Sequence, residues 1–388
     1  MRMNANIPKA AGTSQRHEAK NPLLETFMLG DLPLRNRIVM APLTRTRADN
    51  PGHVPTALMR EYYRQRASAG LIISEGVWVS QQGAGWHNAP GIYNRTQGAA
   101  WEGITEAVHA RGGRIFAQLW HQGSVSLPEF FDDGLPPLAP SAINPRQGVH
   151  VADGIRDSGV PRAMTRTDIK QTVLDFRNAA RIAKDSGFDG VQIQGGFVYL
   201  FQQFMHETTN HRTDEYGGNI ENRSRILFEV IEAVMQEWPS QRVGIKAGPM
   251  MNELGAFKAL PSTLPTAEYV YERLNAYNLS HLYSMRQLAD LSGTPIAKLS
   301  GDGASQHARK HYQGNLILNA GIDREHAAKL LSDGVGDLIA FGRDFIANPD
   351  LVERIRISGP LNEKRPEGYY GSSPVGYIDY PFLSTQKI

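Results

Sequence analysis

The sequence predicts an α/β chain folded as a (β/α)8 barrel, the TIM-barrel architecture, and three observations predict it. Eight short apolar, β-branched runs recur along the 388 residues. Each is near-continuously hydrophobic, as strands covered on both faces of a parallel sheet must be. A helix-like stretch follows nearly every run, which is the alternation that a barrel repeats. No Gly-x-Gly-x-x-Gly turn follows an early strand, so the doubly wound alternative lacks its fingerprint.

The first run is Arg37–Pro42 (RIVMAP), and a helix is expected over Thr56–Ser68. Leu71–Gly76 (LIISEG) leads to Gln97–Ala110. Arg114–Trp120 (RIFAQLW) leads to Thr167–Ser186, with an N-cap offered by Thr167–Asp168 and a left-handed exit by Gly187. Between them lies a Pro-rich insertion, 121–166. A connection this long at a βα junction reads as a lid over the active-site face, with an ornamental surface hairpin as the alternative. Gly190–Gly195 (GVQIQG) precedes Glu221–Glu237, and Val243–Gly248 (VGIKAG) precedes Ala267–Ala276. Leu279–Met285 begins the weakest unit, whose connection 286–313 holds only a short helical candidate at Gln306–Tyr312. Leu316–Gly321 feeds a helix capped by Asp323, and Leu338–Arg343 feeds Phe345–Arg356. Residues 1–22 are polar and read as a disordered extension, leaving 23–388 as a single domain.

Composition narrows the chemistry. No cysteine is present, which excludes disulfides, thiolate nucleophiles and cysteine-ligated metals. Forty-one Lys+Arg against 39 Asp+Glu give a formal charge of +2 and no electrostatic reason to expect nucleic acid or a membrane surface. With neither a signal-peptide core nor a run of roughly 20 apolar residues, a cytoplasmic location is expected. No metal site is expected. His206-Glu207-Thr208-Thr209-Asn210-His211 would need its second histidine one position earlier to make a zinc helix.

In a barrel the residues at strand C-terminal ends carry the chemistry. At the last two junctions, NAGID and AFGRDF, Gly321 and Gly342 let backbone N–H groups approach an anion and Arg343 adds a guanidinium fork. Phosphate sites recur at this position of barrels, although tight packing turns would look the same. Gln118 and Lys246 are polar residues on strands that ought to be buried, which requires partners. An amide and a cation there suit a planar hydrogen-bonding heterocycle, or else a satisfied polar core layer. Together with a phosphate pocket they make a phosphorylated flavin the leading ligand.

Long ordered blocks now become recognisable: LRNRIVMAPLTRTRA, AGLIISEG, NAPGIYN, GGRIFAQLWHQGSVS, NHRTDEYGGNIENRSRILFEVIEAV, NAGID, AFGRDFIANPDLVER and YYG…GYIDYP. In these the chain resembles the old yellow enzyme family of FMN-dependent ene-reductases, from about Leu23 to Tyr380. The resemblance implies a barrel with non-covalent FMN, reduced by NADPH or NADH. It also implies that Pro42, Leu43 and Thr44 contact the flavin's central edge, with Gly76 beside the pyrimidine end and Gln118 bonded to that ring. By the same resemblance Lys246 stands where the family usually has arginine, and Gly321, Gly342 and Arg343 match its phosphate positions. Trp86 falls where the family lines its substrate pocket, and His121, just after the Gln118 strand, either faces the flavin or substrate or is a capped, satisfied strand-end histidine. Tyr377 and Tyr380 either approach a site or dock the tail.

One departure matters. The family's strand-four motif, His-Gly-Ala-Asn-Gly-Tyr or a variant with a second His, supplies two donors to a substrate carbonyl. This chain reads Gln194-Gly195-Gly196-Phe197-Val198-Tyr199. Gln194 still donates through a neutral amide, and Phe197 donates nothing. Tyr199 keeps the family's position for the proton donor to the substrate α-carbon, with an aromatic wall residue as the plain alternative. Three readings follow. The chain reduces an alkene or iminium that needs little carbonyl activation, it runs a redox-neutral or non-reductive flavin reaction on a specialised metabolite, or it binds FMN without turnover. Its expected partners are a small-molecule substrate and a nicotinamide nucleotide, with self-association into a homo-oligomer left open.

Overall fold

The structure is a computed structural model that describes residues 21–248 and 254–383. Most of the extension expected at 1–22 therefore lies outside the described residues.

Eight parallel strands close into a barrel: β1 (Ile38–Met40), β2 (Leu71–Trp78), β3 (Ile115–Trp120), β4 (Gly190–Gln194), β5 (Val243–Lys246), β6 (His281–Met285), β7 (Leu316–Asn319) and β8 (Leu338–Phe341). Neighbours in sequence are neighbours in space, and β8 closes on β1 through Phe341 opposite Met40. The outer helices are α1 (Ala57–Gln65), α2 (Arg95–His109), α3 (Arg166–Asp185), α4 (Ile220–Met235), α5 (Thr263–Leu274), α6 (Gly303–His311) and α7 (Arg324–Ser332). Strand alternation divides the core. Val39, Ala41, Ile73, Phe116, Tyr283, Ile317 and Ala340 fill the barrel, while Ile38, Met40, Ile72, Ala117, Val191 and Ile193 face the helices.

Local chemistry sets the element ends. The Asp323 carboxylate accepts from the His326 amide at 2.8 Å, which caps α7 as expected. The cap of α3 lies two residues before the expected one. Thr165 Oγ1 accepts from Asp168 N while the Asp168 carboxylate accepts from Thr165 N, a reciprocal capping box. The expected last helix is broken into Arg343–Ala347 and Leu351–Arg356. Pro349 lacks an N–H and drives Asn348 out of helical geometry, to φ −129°.

Three features escaped the periodicity. A hairpin of Phe27–Leu29 with Leu32–Leu34 places Leu29, Leu32 and Leu34 in the core shared with the barrel interior. A short helix, Leu200–Met205, follows β4 directly. Strand β2 runs past Gly76 to Trp78 and carries a bulge, with Ser74 and Glu75 lying against Ala117 alone. Ser74 Oγ takes up the Gln118 amide that the bulge would strand. The insertion 121–166 has structure of its own. Its hairpin pairs Gly148–Val151 with Gly154–Asp157, and Leu138–Ala139 pairs in parallel with Arg162–Ala163.

Candidate active site

Strands β3, β4, β5 and β6 bring polar side chains together inside the barrel, with His281 at the start of β6 and Lys246 at the end of β5. Gln118 Nε2 donates to Gln192 Oε1 at 2.7 Å, and Gln192 Nε2 meets His281 Nε2 at 2.8 Å. An amide nitrogen only donates, so His281 Nε2 accepts and its proton sits on Nδ1, facing Ser280 Oγ at 2.8 Å. Burial holds this imidazole at about 3, so it stays neutral. Gly244 makes room for the ring, because a Cβ there would fall 2.1 Å from His281 Cε1. Gln118 is thus oriented by a relay, with its Oε1 and second N–H left for another partner. The sequence reading missed Gln192 and His281, although the i, i+2 spacing of Gln192 and Gln194 puts both on one face of β4.

Lys246 lies opposite Gln194 in the register of β4 and β5. Its ammonium has the Tyr283 ring at 5.5 Å and no hydrogen-bond or carboxylate partner among the described residues. Burial brings it down to about 8. A cation held this way is ready for an anionic or strongly accepting ligand.

At the β7 and β8 ends Gly321 adopts φ +63° and its carbonyl accepts from Arg286 Nη1 at 2.8 Å. Gly342 caps Arg343–Ala347, and Arg343 has no ion-pair partner among the described residues. Arg286 joins this corner through Asp302, a residue pair in the long connection that the sequence reading left unassigned. Pro42, Leu43 and Thr44 form the partly exposed turn after β1, with Leu43 packed near Ile346 and Tyr380.

Above this polar layer stands an aromatic one. Trp120 meets the Tyr199 ring edge-on at 4.8 Å, and Phe197 is tilted against Tyr199 at 5.6 Å. Trp86 stacks on His150 of the insertion hairpin at 3.8 Å, with Tyr370 at 5.9 Å. Gly76 is required by this packing, since a Cβ would lie 2.3 Å from Trp120 Cε3. The Tyr199 hydroxyl has no hydrogen-bond partner among the described residues, and burial raises its pKa. Gln194 is buried, its Oε1 accepting from Gly196 N at 3.4 Å. Phe197 sits at φ +60°, a left-handed conformation that bulky residues avoid. His121 accepts from Gly123 N through Nδ1 at 3.0 Å, which leaves a proton on a buried Nε2 without a partner. Burial puts its pKa at about 3.

Other residues hold the frame. Arg45 donates to the carbonyls of Tyr369, Gly368 and Gly376, and Arg47 to those of Tyr369, Gly368 and Ser373. Tyr377 stacks on Tyr62 at 4.2 Å, under both guanidinium groups. Tyr377 therefore docks the tail, and Tyr380 assists by accepting from Arg365 N. That docking holds Tyr370 beside Trp86. His206 meets the Lys258 carbonyl at 2.7 Å and Thr208 Oγ1 at 2.8 Å, as a loop-ordering residue would.

The chain matches the model of the NADH:flavin oxidoreductase / NADH oxidase family over residues 22–362. It is 39% identical to 12-oxophytodienoate reductase 1 of Oryza sativa subsp. japonica, covering 93% of each chain. It is 38% identical to a probable flavin mononucleotide-dependent alkene reductase of Leishmania infantum, over 93% of this chain and 97% of that one. The solved structure of morphinone reductase in complex with tetrahydroNAD superposes with a TM-score of 0.85 at 40% identity, covering 94% of this chain and 99% of the other.

Proposed function

Since the chain belongs to the NADH:flavin oxidoreductase family, it is an FMN-dependent oxidoreductase driven by a nicotinamide nucleotide, and we propose a substrate whose activated C=C or C=N bond needs little carbonyl polarisation. The observation that carries this reading is the aromatic packing at Tyr199: Trp120 and Phe197 lie against its ring, Trp86 and Tyr370 stand beyond Trp120, and Phe197 offers no donor three residues after the amide of Gln194. The orphaned Lys246 ammonium, the oriented Gln118 amide and the unpaired Arg343 suit the heterocycle and phosphate of FMN. Bound FMN supplies the hydride.

In this reading Lys246 balances the negative charge that a reduced flavin carries at its pyrimidine edge. Gln118, fixed by Gln192, holds that ring in register. Tyr199 donates a proton to the substrate carbon, and its raised pKa keeps the proton on oxygen until a strong carbon base develops. Of the two strand-four positions, Gln194 alone offers a donor to a substrate carbonyl or related acceptor. One missing oxyanion-type donor is worth about 10²–10³ in rate. The substrate therefore brings its own activation, as an iminium, a doubly activated alkene or an extended conjugated carbonyl does. A bulky specialised metabolite fits the aromatic lining, and the insertion, through His150 on Trp86, acts as a lid on it.

Anaerobic titration of the purified yellow protein with NADPH, and with NADH, tests this. Bleaching by either nucleotide followed by reoxidation with an iminium or doubly activated alkene is expected. Flavin that neither nucleotide bleaches, with product still formed, would replace reduction by a redox-neutral reaction.

A further inference from the structure

Away from the barrel mouth, α5 and α6 face each other with two i, i+4 pairs: Glu268 and Glu272 on one, His307 and His311 on the other. His307 Nε2 lies 3.4 Å and His311 Nε2 3.8 Å from Glu268 Oε1. Both Nε2 atoms are buried without a hydrogen-bond partner, and His307 as a whole is only 8% exposed. The rings are 4.7 Å apart, and no two of the three donor atoms are farther apart than 4.8 Å.

The protonation pattern favours ligation. His311 Nδ1 contacts Glu272 Oε1 at 2.8 Å, and a carboxylate only accepts, so Nδ1 carries the proton. In the neutral ring the Nε2 lone pair then points inward, oriented by an acidic second shell as metal-bound histidines usually are. Lys298 Nζ lies 3.6 Å from Glu268 Oε1, and its side chain is 58% exposed and free to swing away.

We propose that His307, His311 and Glu268 bind a divalent transition metal, zinc for preference, with Glu272 orienting His311. Two imidazoles and a carboxylate suit zinc, whose fourth position a water fills. Tetrahedral bonds of about 2.0 Å need donors about 3.3 Å apart, so the Glu268–His307 spacing is near and one imidazole closes in by rotation. The metal would clip α5 to α6 across the longest connection of the later barrel units, outside the flavin site.

Isothermal titration of the FMN-loaded chain with zinc chloride, paired with thermal melts, decides this. One saturable zinc per chain is expected, with a melting midpoint raised by a few degrees at zinc about 100-fold above Kd. The double variant His307→Gln, His311→Gln loses that binding. Glu272→Gln weakens it about 10–100-fold, and Lys298→Met tightens it. Absent saturable binding in the parent chain overturns the proposal. So does an affinity unchanged in the double variant or, should that variant fail to fold, in both exposed-site variants.

Discussion

Phe197→Asn makes the sharpest test of the substrate site, because it acts on the backbone and the chemistry together. At φ +60° an L-residue pays about 1–2 kcal/mol, which asparagine largely avoids through its short side chain. Removing a fully buried phenylalanine side chain costs about 3–5 kcal/mol. Phe197 is only partly buried, touching Tyr199 at 5.6 Å, so a fraction of that loss applies and the strain relief offsets it. The net destabilisation expected is under about 2 kcal/mol, read from denaturant unfolding of the FMN-loaded protein. The new amide stands three residues past Gln194, the last residue of β4. If it reaches a substrate carbonyl it restores one oxyanion-type donor, worth about 10²–10³ in rate at ideal geometry. Allowing for imperfect placement, reoxidation of the reduced enzyme by a simple cyclic enone should quicken at least about tenfold. A stably folded Phe197→Asn enzyme with unchanged enone reoxidation would refute the idea that a missing donor limits this site.

Tyr199→Phe should leave bleaching by NADPH unaltered and slow reoxidation by substrate, and equal slowing of both half-reactions would reject the proton-donor role. Because burial raises the Tyr199 pKa, the substrate half-reaction should show no loss up to pH 10 from this group, as a pH–rate profile can check. Gly76→Ala forces a Cβ to within 2.3 Å of Trp120 Cε3, so it should cost about 1–3 kcal/mol and perturb Trp120 fluorescence; a neutral substitution would show that the bulge relaxes freely. Glu75 supplies a pH test. Burial outweighs the Arg45 amide, the Arg45 charge and the Tyr63 hydroxyl and lifts its carboxyl from 4.5 to about 7. The folded state then holds this proton more tightly than the unfolded chain, so stability falls as pH rises from 4.5 to about 7. That penalty, on the order of 3 kcal/mol above the folded pKa, should vanish in Glu75→Gln. Unfolding at pH 4.5 and pH 8 should therefore show the variant gaining on the parent only at pH 8, and an equal difference at both would contradict the assignment.

Much of the barrel was legible because its signals are short-range. Seven of the eight apolar runs contain their strand, β2 alone running on to Trp78, and Asp323 caps its helix through a bond made three residues away. The α3 cap was misplaced because Thr165 and Thr167 both precede Asp168, and only the reciprocal bond geometry separates them. The hairpin at Phe27–Leu34 was missed because its three-residue strands carry no period. In the site, Gln118 and Lys246 could be singled out as polar groups on buried strands, and Tyr199 through the family resemblance alone. The relay behind Gln118 could not, since Gln192 and His281 are 89 residues apart. The role of Arg45 and Arg47 had no local signal either, since their partners are carbonyls of the tail more than 300 residues away.

Those long-range contacts support the polar and the aromatic layers of the site from different sides. The polar layer of Gln118, Gln192, His281 and Lys246 is fixed from inside the barrel, by side chains that do not touch Phe197. The aromatic layer is fixed from outside, by the insertion through His150 and by the tail through Tyr370, which Arg45 and Arg47 pin in place. Two independently supported layers can diverge separately. Substituting a donor by Phe197 alters the upper layer's hydrogen bonding and dielectric while leaving the cation at Lys246 where it is. A drier upper layer strengthens the electrostatic effect of that cation below it, because fewer solvent dipoles screen it. Under the proposed reading, a site with one substrate donor fewer and an intact cofactor layer is therefore compatible with one barrel.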